Sequence, residues 1–448
     1  MSMTKAAHIR ATLALSLPLA GSNIAQMSLH VSDSVMLGRY GVNELAAVVL
    51  GTSMFFVTFI LGSGFGQAVM PMVASALGRG DEAQVRRDAR MGLWLSIAFG
   101  AITYPLFWNS GALLAALGQN PVVAQLAQDF LRIAGAGMIP ALLVMVLKSY
   151  LAALGKTRVV LWSTLAAVAL NIAVGWPLIF GHWGMPELGV RGAAIASLFV
   201  QALNVLVLGL YAGFLPALRR FHLYQRFWRP DWQALGQVAR LGAPIGLTGL
   251  AEAGLFQATA LMMGWIGTVQ LAAHGIALEV AALSFMIHLG VASAATIRVA
   301  RFHGQGDTEA MRMAAKVAIG ISVAVGCVVV AIYLSLPQVI IGLFLSPGKP
   351  DTATIIAYGT GLLAIAALFQ FADAMQAIAL GLLRGLKDTR VPMVLAVISY
   401  WVIGLPMGYA LGFPMGFGGH GLWMGLVIGL AVAAVLLMTR FWRHVPAA

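Results

Sequence analysis

The sequence predicts an all-α polytopic membrane protein with twelve transmembrane helices in two six-helix bundles and both termini on the cytoplasmic side. Three observations carry that prediction. Apolar residues make up 60% of the 448 positions and charged residues only 9%, against roughly 25% charged in a soluble domain, and mean hydropathy is +0.90. The apolar residues are gathered into runs of membrane-crossing length separated by short basic loops. The second half of the chain also repeats the first. Lipid is therefore the solvent for most of this surface, and only a short segment near residues 215–240 is polar enough to lie outside it.

A hydrocarbon core requires about 20 apolar residues of helix. Runs of that length cover approximately 11–38, 45–72, 91–116, 124–153, 158–183, 190–213, 237–264, 271–298, 317–344, 352–383, 391–413 and 418–439. With both termini inside, most of the 27 Lys and Arg residues fall on the cytoplasmic side. Among them are Arg86, Arg87 and Arg90 after the second span, Arg219, Arg220, Arg226 and Arg229 after the sixth, and Arg384, Lys387 and Arg390 after the tenth. Arg39, Arg191 and Lys349 are left outside; Arg132 and Lys148 fall within the fourth span, where their stems can snorkel. The positive-inside rule gives N-in and C-in. The net charge of +12 thus reports topology, not nucleic-acid binding. Cys327 is the single cysteine, so no intrachain disulfide forms.

The N-terminus, with Lys5, Arg10, an apolar run and Ala20-Gly21-Ser22, resembles a signal peptide. The internal repeat argues against cleavage. One constant shift carries Gly38 onto Gly264, Gly41 onto Gly267 and Leu45-Ala46-Ala47 onto Leu271-Ala272-Ala273. The same shift carries Pro18 onto Pro244 and Gly80-Asp81 onto Gly306-Asp307. Further along, Leu154 and Thr157-Arg158 match Leu386 and Thr389-Arg390, and Gly175 and Pro177 match Gly404 and Pro406. Spans one to six recur as seven to twelve in one orientation, which implies a pseudo-two-fold axis along the membrane normal and a cavity between the halves. The expected organisation is an N-lobe at 1–215, a linker at 216–240 and a C-lobe at 241–448. The linker is basic and Trp-bearing, and it reads as an amphipathic segment at the headgroups.

Of fifteen acidic residues, four fall inside spans: Asp33 in the first, Glu252 in the seventh, Glu279 in the eighth and Asp373 in the tenth. Each costs roughly 2.5–3.5 kcal/mol on insertion scales unless it faces water or a partner. Hydrogen bonding between helices is the plain explanation, and Asn or Gln would serve it at lower cost. The alternative is chemical. A carboxylate withdrawn from water takes up a proton readily, and one surrounded by oxygens holds a hard cation. Either neutralises the site and competes there with a cationic ligand.

The run Gln370-Phe371-Ala372-Asp373-Ala374-Met375-Gln376, with Gly381, Leu383-Arg384-Gly385, Lys387-Asp388-Thr389 and Pro392, resembles a signature of the MATE multidrug exporters of the NorM branch. Asp33-Ser34-Val35-Met36, Glu252, and Ala273-His274 leading to Ile297-Arg298-Val299 are similar to that family too, and the resemblance covers nearly the whole chain. It implies a V-shaped pair of six-helix bundles in a bacterial inner membrane, opening alternately to each side. Small-molecule drugs and toxic organic cations would be exported against entering protons or sodium, by a chain expected to work as a monomer. By the same resemblance Glu252 and Asp373 are the C-lobe acids of cation coupling, Asp33 is the N-lobe acid, Asn171 its polar partner, and Pro18 the site of a helix bend. Two departures stand out: Gly175 replaces a polar residue, and Glu279 replaces a neutral one and adds a protonatable group. Both weigh against sodium in the N-lobe, so protons are the favoured coupling ion, with sodium at Glu252 and Asp373 the alternative.

Phe256, Phe285, Met286, Gln370, Phe371 and Gln376 are candidates to line the substrate cavity, since sulfur and aromatic rings suit adaptable surfaces; for the apolar ones ordinary helix packing is the stronger reading. His274 and His288 lack zinc-ligand spacing. Gly62-Ser63-Gly64-Phe65-Gly66 lies inside a span and lacks the Lys-Ser/Thr of a phosphate-binding loop, so no cofactor and no ATP are expected. The dispersed polar residues offer no nucleophile–base pair, which argues against an enzyme.

Overall fold

The computed structural model describes residues 3–38, 42–345 and 351–445. Among the described residues run twelve long helices: α1 (Lys5–Gly38), α2 (Val42–Gly78), α3 (Glu82–Trp108), α4 (Pro121–Ala153), α5 (Thr157–Phe180), α6 (Gly189–Phe214), α7 (Trp232–Ile266), α8 (Thr268–Gln305), α9 (Thr308–Ser335), α10 (Thr352–Gly385), α11 (Arg390–Gly412) and α12 (Gly418–His444). Eleven of them, α2 to α12, are both long and apolar enough to cross a membrane. The other expected span lies in α1, which has the length but is diluted by Ser16, Ser22, Asn23, Gln26 and Ser28. No strand occurs among the described residues.

The repeat is written into the turns. Gly80 and Gly306 hold the left-handed conformation at φ +74° and +73°, where a side chain would be strained. The aspartate after each caps the next helix. Asp81 Oδ1 accepts from the Gln84 amide and Asp307 Oδ1 from the Ala310 amide, both at 2.9 Å. Such a cap is worth about 1 kcal/mol.

The chain divides into two compact units, Met1–Ala20 with Leu247–Ala448, and Gly21–Gly246. The divisions fall just beyond Pro18 in α1 and just beyond Pro244 in α7. In a helix interior each proline removes one backbone hydrogen bond.

Inside the unit of Gly21–Gly246, α2 meets the start of α7 backbone to backbone. A Cβ on Gly64 would lie 2.3 Å from the Gly242 carbonyl oxygen and 2.5 Å from the Gly246 nitrogen. The Gly62–Gly66 stretch is thus a packing face. In the other unit the same contact recurs between the repeat counterparts, where a Cβ on Gly290 of α8 would lie 2.6 Å from the Ala20 nitrogen of α1. The core of that unit holds the fully buried Trp423, Tyr400, Phe369 and Phe441. Small residues bring α11 and α12 together there, with a Cβ on Gly425 only 2.2 Å from the Gly408 Cα. Close approach of this kind is how helices associate where lipid supplies no hydrophobic drive.

Candidate functional site

The polar interior of the unit formed by Met1–Ala20 and Leu247–Ala448 centres on α7, α10 and α11. Asp373 is buried in α10, and its Oδ1 and the Oε1 of Glu252 in α7 are enclosed with no hydrogen-bond partner. The two carboxylates lie within electrostatic reach of one another, and Glu252 also of Arg384 at the end of α10. Enclosed acceptors left unmatched are rare in native proteins, and each calls for an explanation.

Tyr400 completes this group and was not singled out by the sequence reading. It sits in a π-helical stretch of α11, Ile398–Gly404, and such stretches gather at functional sites. Its buried hydroxyl accepts from Gln376 Nε2 at 2.6 Å and interacts electrostatically with Glu252, Asp373 and Arg384. The Gln376 Oε1 is another enclosed oxygen without a partner. Neighbouring Trp401 donates from Nε1 to the Ala251 carbonyl at 3.0 Å and packs against Gly254, fixing α11 against α7 on both sides of Glu252. A signal for Tyr400 was present, because the shift that carries Gly175 onto Gly404 carries Asn171 onto Tyr400.

A second buried cluster lies along α8. Ser284 Oγ is 2.7 Å from the Tyr333 hydroxyl and 3.1 Å from Gln370 Oε1, and Tyr333 donates to the Val280 carbonyl at 2.9 Å. His288 Nδ1 is 2.7 Å from Ser322 Oγ, and His274 Nδ1 accepts from Trp423 Nε1 at 3.0 Å. The two histidines therefore serve separate neighbours. Phe256 packs edge-on to Phe369, which packs on Trp423, while the Phe371 ring lies over Gly326 of α9. Phe285, Met286 and Glu279 are half-buried. Glu279 has no place in the electrostatic set of Glu252 and Asp373.

In the unit of Gly21–Gly246, Asn171 is fully buried in α5. Asp33 belongs to α1, and its side chain lies outside the described residues, as do those of Ser34 and Val35. Lys148 of α4 donates to Gln26 Oε1 of α1 at 3.2 Å. Gln26 is the repeat counterpart of Glu252, so the position holding an acid in one unit holds a neutral amide beside a lysine in the other.

Comparison with known proteins agrees with this duplicated architecture. A family model described as MatE matches residues 18–176 and 244–410, beginning at Pro18 and again at its counterpart Pro244. The chain is 47% identical over 436 residues to the "Probable multidrug resistance protein NorM" of Rhizobium meliloti (strain 1021), covering 97% of this chain and 93% of that one. It is 45% identical over 434 residues to the protein of the same description in Agrobacterium fabrum (strain C58 / ATCC 33970), covering 97% and 93%. Among solved structures, "Crystal structure of MATE in complex with MaL6" superposes with a TM-score of 0.89 at 21% identity, over 98% of this chain and 96% of that one, a likeness of fold.

Proposed function

The chain belongs to the MatE family of multi-pass membrane proteins, and on that premise we propose that it is a multidrug efflux antiporter of the bacterial inner membrane. It exports bulky, often cationic drugs by alternating access in exchange for protons, without ATP. The curated relatives carry the description of multidrug resistance protein, which supports the substrate class.

The observation that carries the coupling is the set of three enclosed oxygens without partners, Glu252 Oε1, Asp373 Oδ1 and Gln376 Oε1. Two are carboxylate oxygens, and together they are acceptors waiting for a proton or a small cation. Neutral carboxyl groups sit in low dielectric at little cost and ionised ones do not, so loading with a proton is compatible with closure to water and unloading with binding of a cationic drug. The alternation of the two is antiport. A potential of about 100 mV contributes roughly 2.3 kcal/mol per inward charge, a drug gradient of about 40-fold by the rule of tenfold per 1.4 kcal/mol. One or two protons per cycle suffice. Sodium at the same oxygens is the competing reading, favoured by the mixed set of carboxylate and amide oxygens.

The test is drug efflux from proteoliposomes under an imposed pH gradient and, separately, an imposed sodium gradient. Efflux driven by the pH gradient alone is the expected result; drive by sodium alone transfers the coupling to that ion. Export that continues with every gradient collapsed overturns antiport altogether.

A further inference from the structure

We propose that the crevice between α3, α4 and α6, roofed by the linker, holds one acyl chain of an anionic phospholipid whose phosphate is gripped by the linker arginines. The crevice has a volume of about 340 Å³, at the lower end of the roughly 300–1,000 Å³ range of small-molecule pockets. Ile97, Leu147, Leu206 and Leu210 line its wall, and the rings of Tyr224 and Phe227 close one end. All of these belong to the unit Gly21–Gly246. A lining of this kind takes a hydrocarbon chain and has nothing to offer a polar ligand.

The roof is built and held. Tyr224 donates its hydroxyl to the Gly209 carbonyl at 2.7 Å, and its ring lies flush on α6, where a Cβ on Gly213 would come within 2.4 Å of it. Arg90 of α3 donates to the carbonyls of Gln225 and Arg226 at 3.1 and 3.0 Å, and Trp94 Nε1 donates to that of Phe227 at 2.9 Å. His222 and Arg226 are both held in the left-handed region, at φ 47° and 54°. Side chains avoid that conformation unless the surroundings over-determine it, and such residues gather at ligand clamps.

Charge decides which lipid. Arg219, Arg226 and Arg229 are exposed, and among the described residues none has an ion-pair partner, since Glu82 is taken by Arg220 and Asp231 by Arg87. Arg226 stands directly before Phe227 in the roof. Trp228 and Trp232, 72% and 75% exposed, mark this level as the interface, and the positive-inside rule assigns it to the cytoplasmic leaflet, whose anionic headgroups attract basic segments. The occupant is therefore a two-part ligand, with hydrocarbon in the crevice and a phosphate among the arginines.

The experiment uses the full chain purified in detergent, incubated with phosphatidylglycerol or with phosphatidylcholine of identical acyl chains, and retained lipid is counted by native mass spectrometry. One phosphatidylglycerol should be retained, at least tenfold more tightly than phosphatidylcholine. Leu206→Trp, which narrows the crevice from an exposed position, and the double variant Arg219→Gln with Arg226→Gln should each weaken retention at least fivefold. Equal retention of the two lipids, or undiminished phosphatidylglycerol retention in Leu206→Trp, overturns the proposal. Displacement of the lipid by an equal concentration of glycerol phosphate overturns it too, because the acyl chain would then add nothing to the affinity of the headgroup. A photoreactive acyl-chain probe on the unaltered protein supplies a readout free of folding effects: crosslinks within Val205–Leu210 support the site, and crosslinks confined elsewhere sink it.

Discussion

The two compact units share a skeleton and differ in what they bury. Both carry a left-handed glycine followed by a capping aspartate, and both bring two helices to backbone contact at counterpart positions, Gly64 with Gly246 and Gly290 with Ala20. Their polar interiors differ. Around Glu252 lie Asp373, Tyr400, Gln376 and Arg384, whereas at its counterpart Gln26 the described partner is Lys148. The contrast teaches where a duplicated membrane fold is rigid. Positions at which one added methyl would strike backbone have no freedom, while side chains facing a polar interior can change charge as long as each unit stays solvated from within. The coupling chemistry proposed above could thus gather in one unit without disturbing the fold of either.

The largest effect expected from breaking this asymmetry is on coupling. Asp373→Asn and Glu252→Gln each remove one titratable group from the pair and leave hydrogen-bonding groups of similar size. Either should abolish uphill drug transport, collapsing a gradient of about 40-fold to near unity, while downhill exchange of drug persists in a counterflow assay. Placing an acid at the counterpart, Gln26→Glu, should not restore coupling to these variants, because Lys148 would pair with it. Restored uphill transport in Gln26→Glu with Glu252→Gln would mean that the units are interchangeable after all.

Next in size is the shared skeleton. Gly290→Ala and Gly64→Ala place a methyl against backbone in both units, and overpacking of that kind costs typically 1–3 kcal/mol. Thermal unfolding in detergent should show similar losses for the two. A loss confined to one would show that the repeated contact is structural in that unit only.

Tyr400→Phe is expected to act more mildly. It removes the acceptor of Gln376 Nε2 and leaves an amide whose oxygen is already without a partner, at a cost of about 1–3 kcal/mol for a buried polar group. If the hydroxyl only holds Gln376, adding Tyr400→Phe to Gln376→Leu should cost no further stability and no further transport beyond what Gln376→Leu loses by itself. A further loss of transport at unchanged stability would assign Tyr400 to the ion path.

Much of this was legible beforehand. Twelve apolar runs, the basic loops and the glycine-led repeat give the helices and their pairing, because in lipid a backbone must satisfy itself and leaves few options. The buried acids were legible because charge in a span is costly. Tyr400 was legible only through the repeat, as the counterpart of Asn171, since an aromatic in an apolar run looks like packing; in the fold it lies in a π-helical stretch and its hydroxyl meets Gln376. The packing of Phe256 was legible as the stronger reading of that residue, but not that its neighbours in the row are Phe369 and Trp423. Arg384 read as a topological charge, yet Glu252 lies within its electrostatic reach. Periodicity locates a helix face; it does not say which neighbour that face will meet.

The smallest effect concerns a turn at which the repeat departs from itself. Gly155 follows α4 at φ +76°, and its counterpart after α10 is Lys387 at φ +62°. A side chain in the left-handed region costs roughly 1–2 kcal/mol, so Gly155→Lys should destabilise by about that amount. The reverse change, Lys387→Gly, relieves the same strain but adds the greater backbone entropy of glycine in the unfolded chain and removes the contacts of the lysine side chain. A net gain below about 1 kcal/mol is expected, read as a small rise in Tm. If Lys387→Gly instead lowers Tm, the lysine contributes more to the cytoplasmic end of α10 than the strain costs, and the departure from the repeat at this turn is a stabilising one.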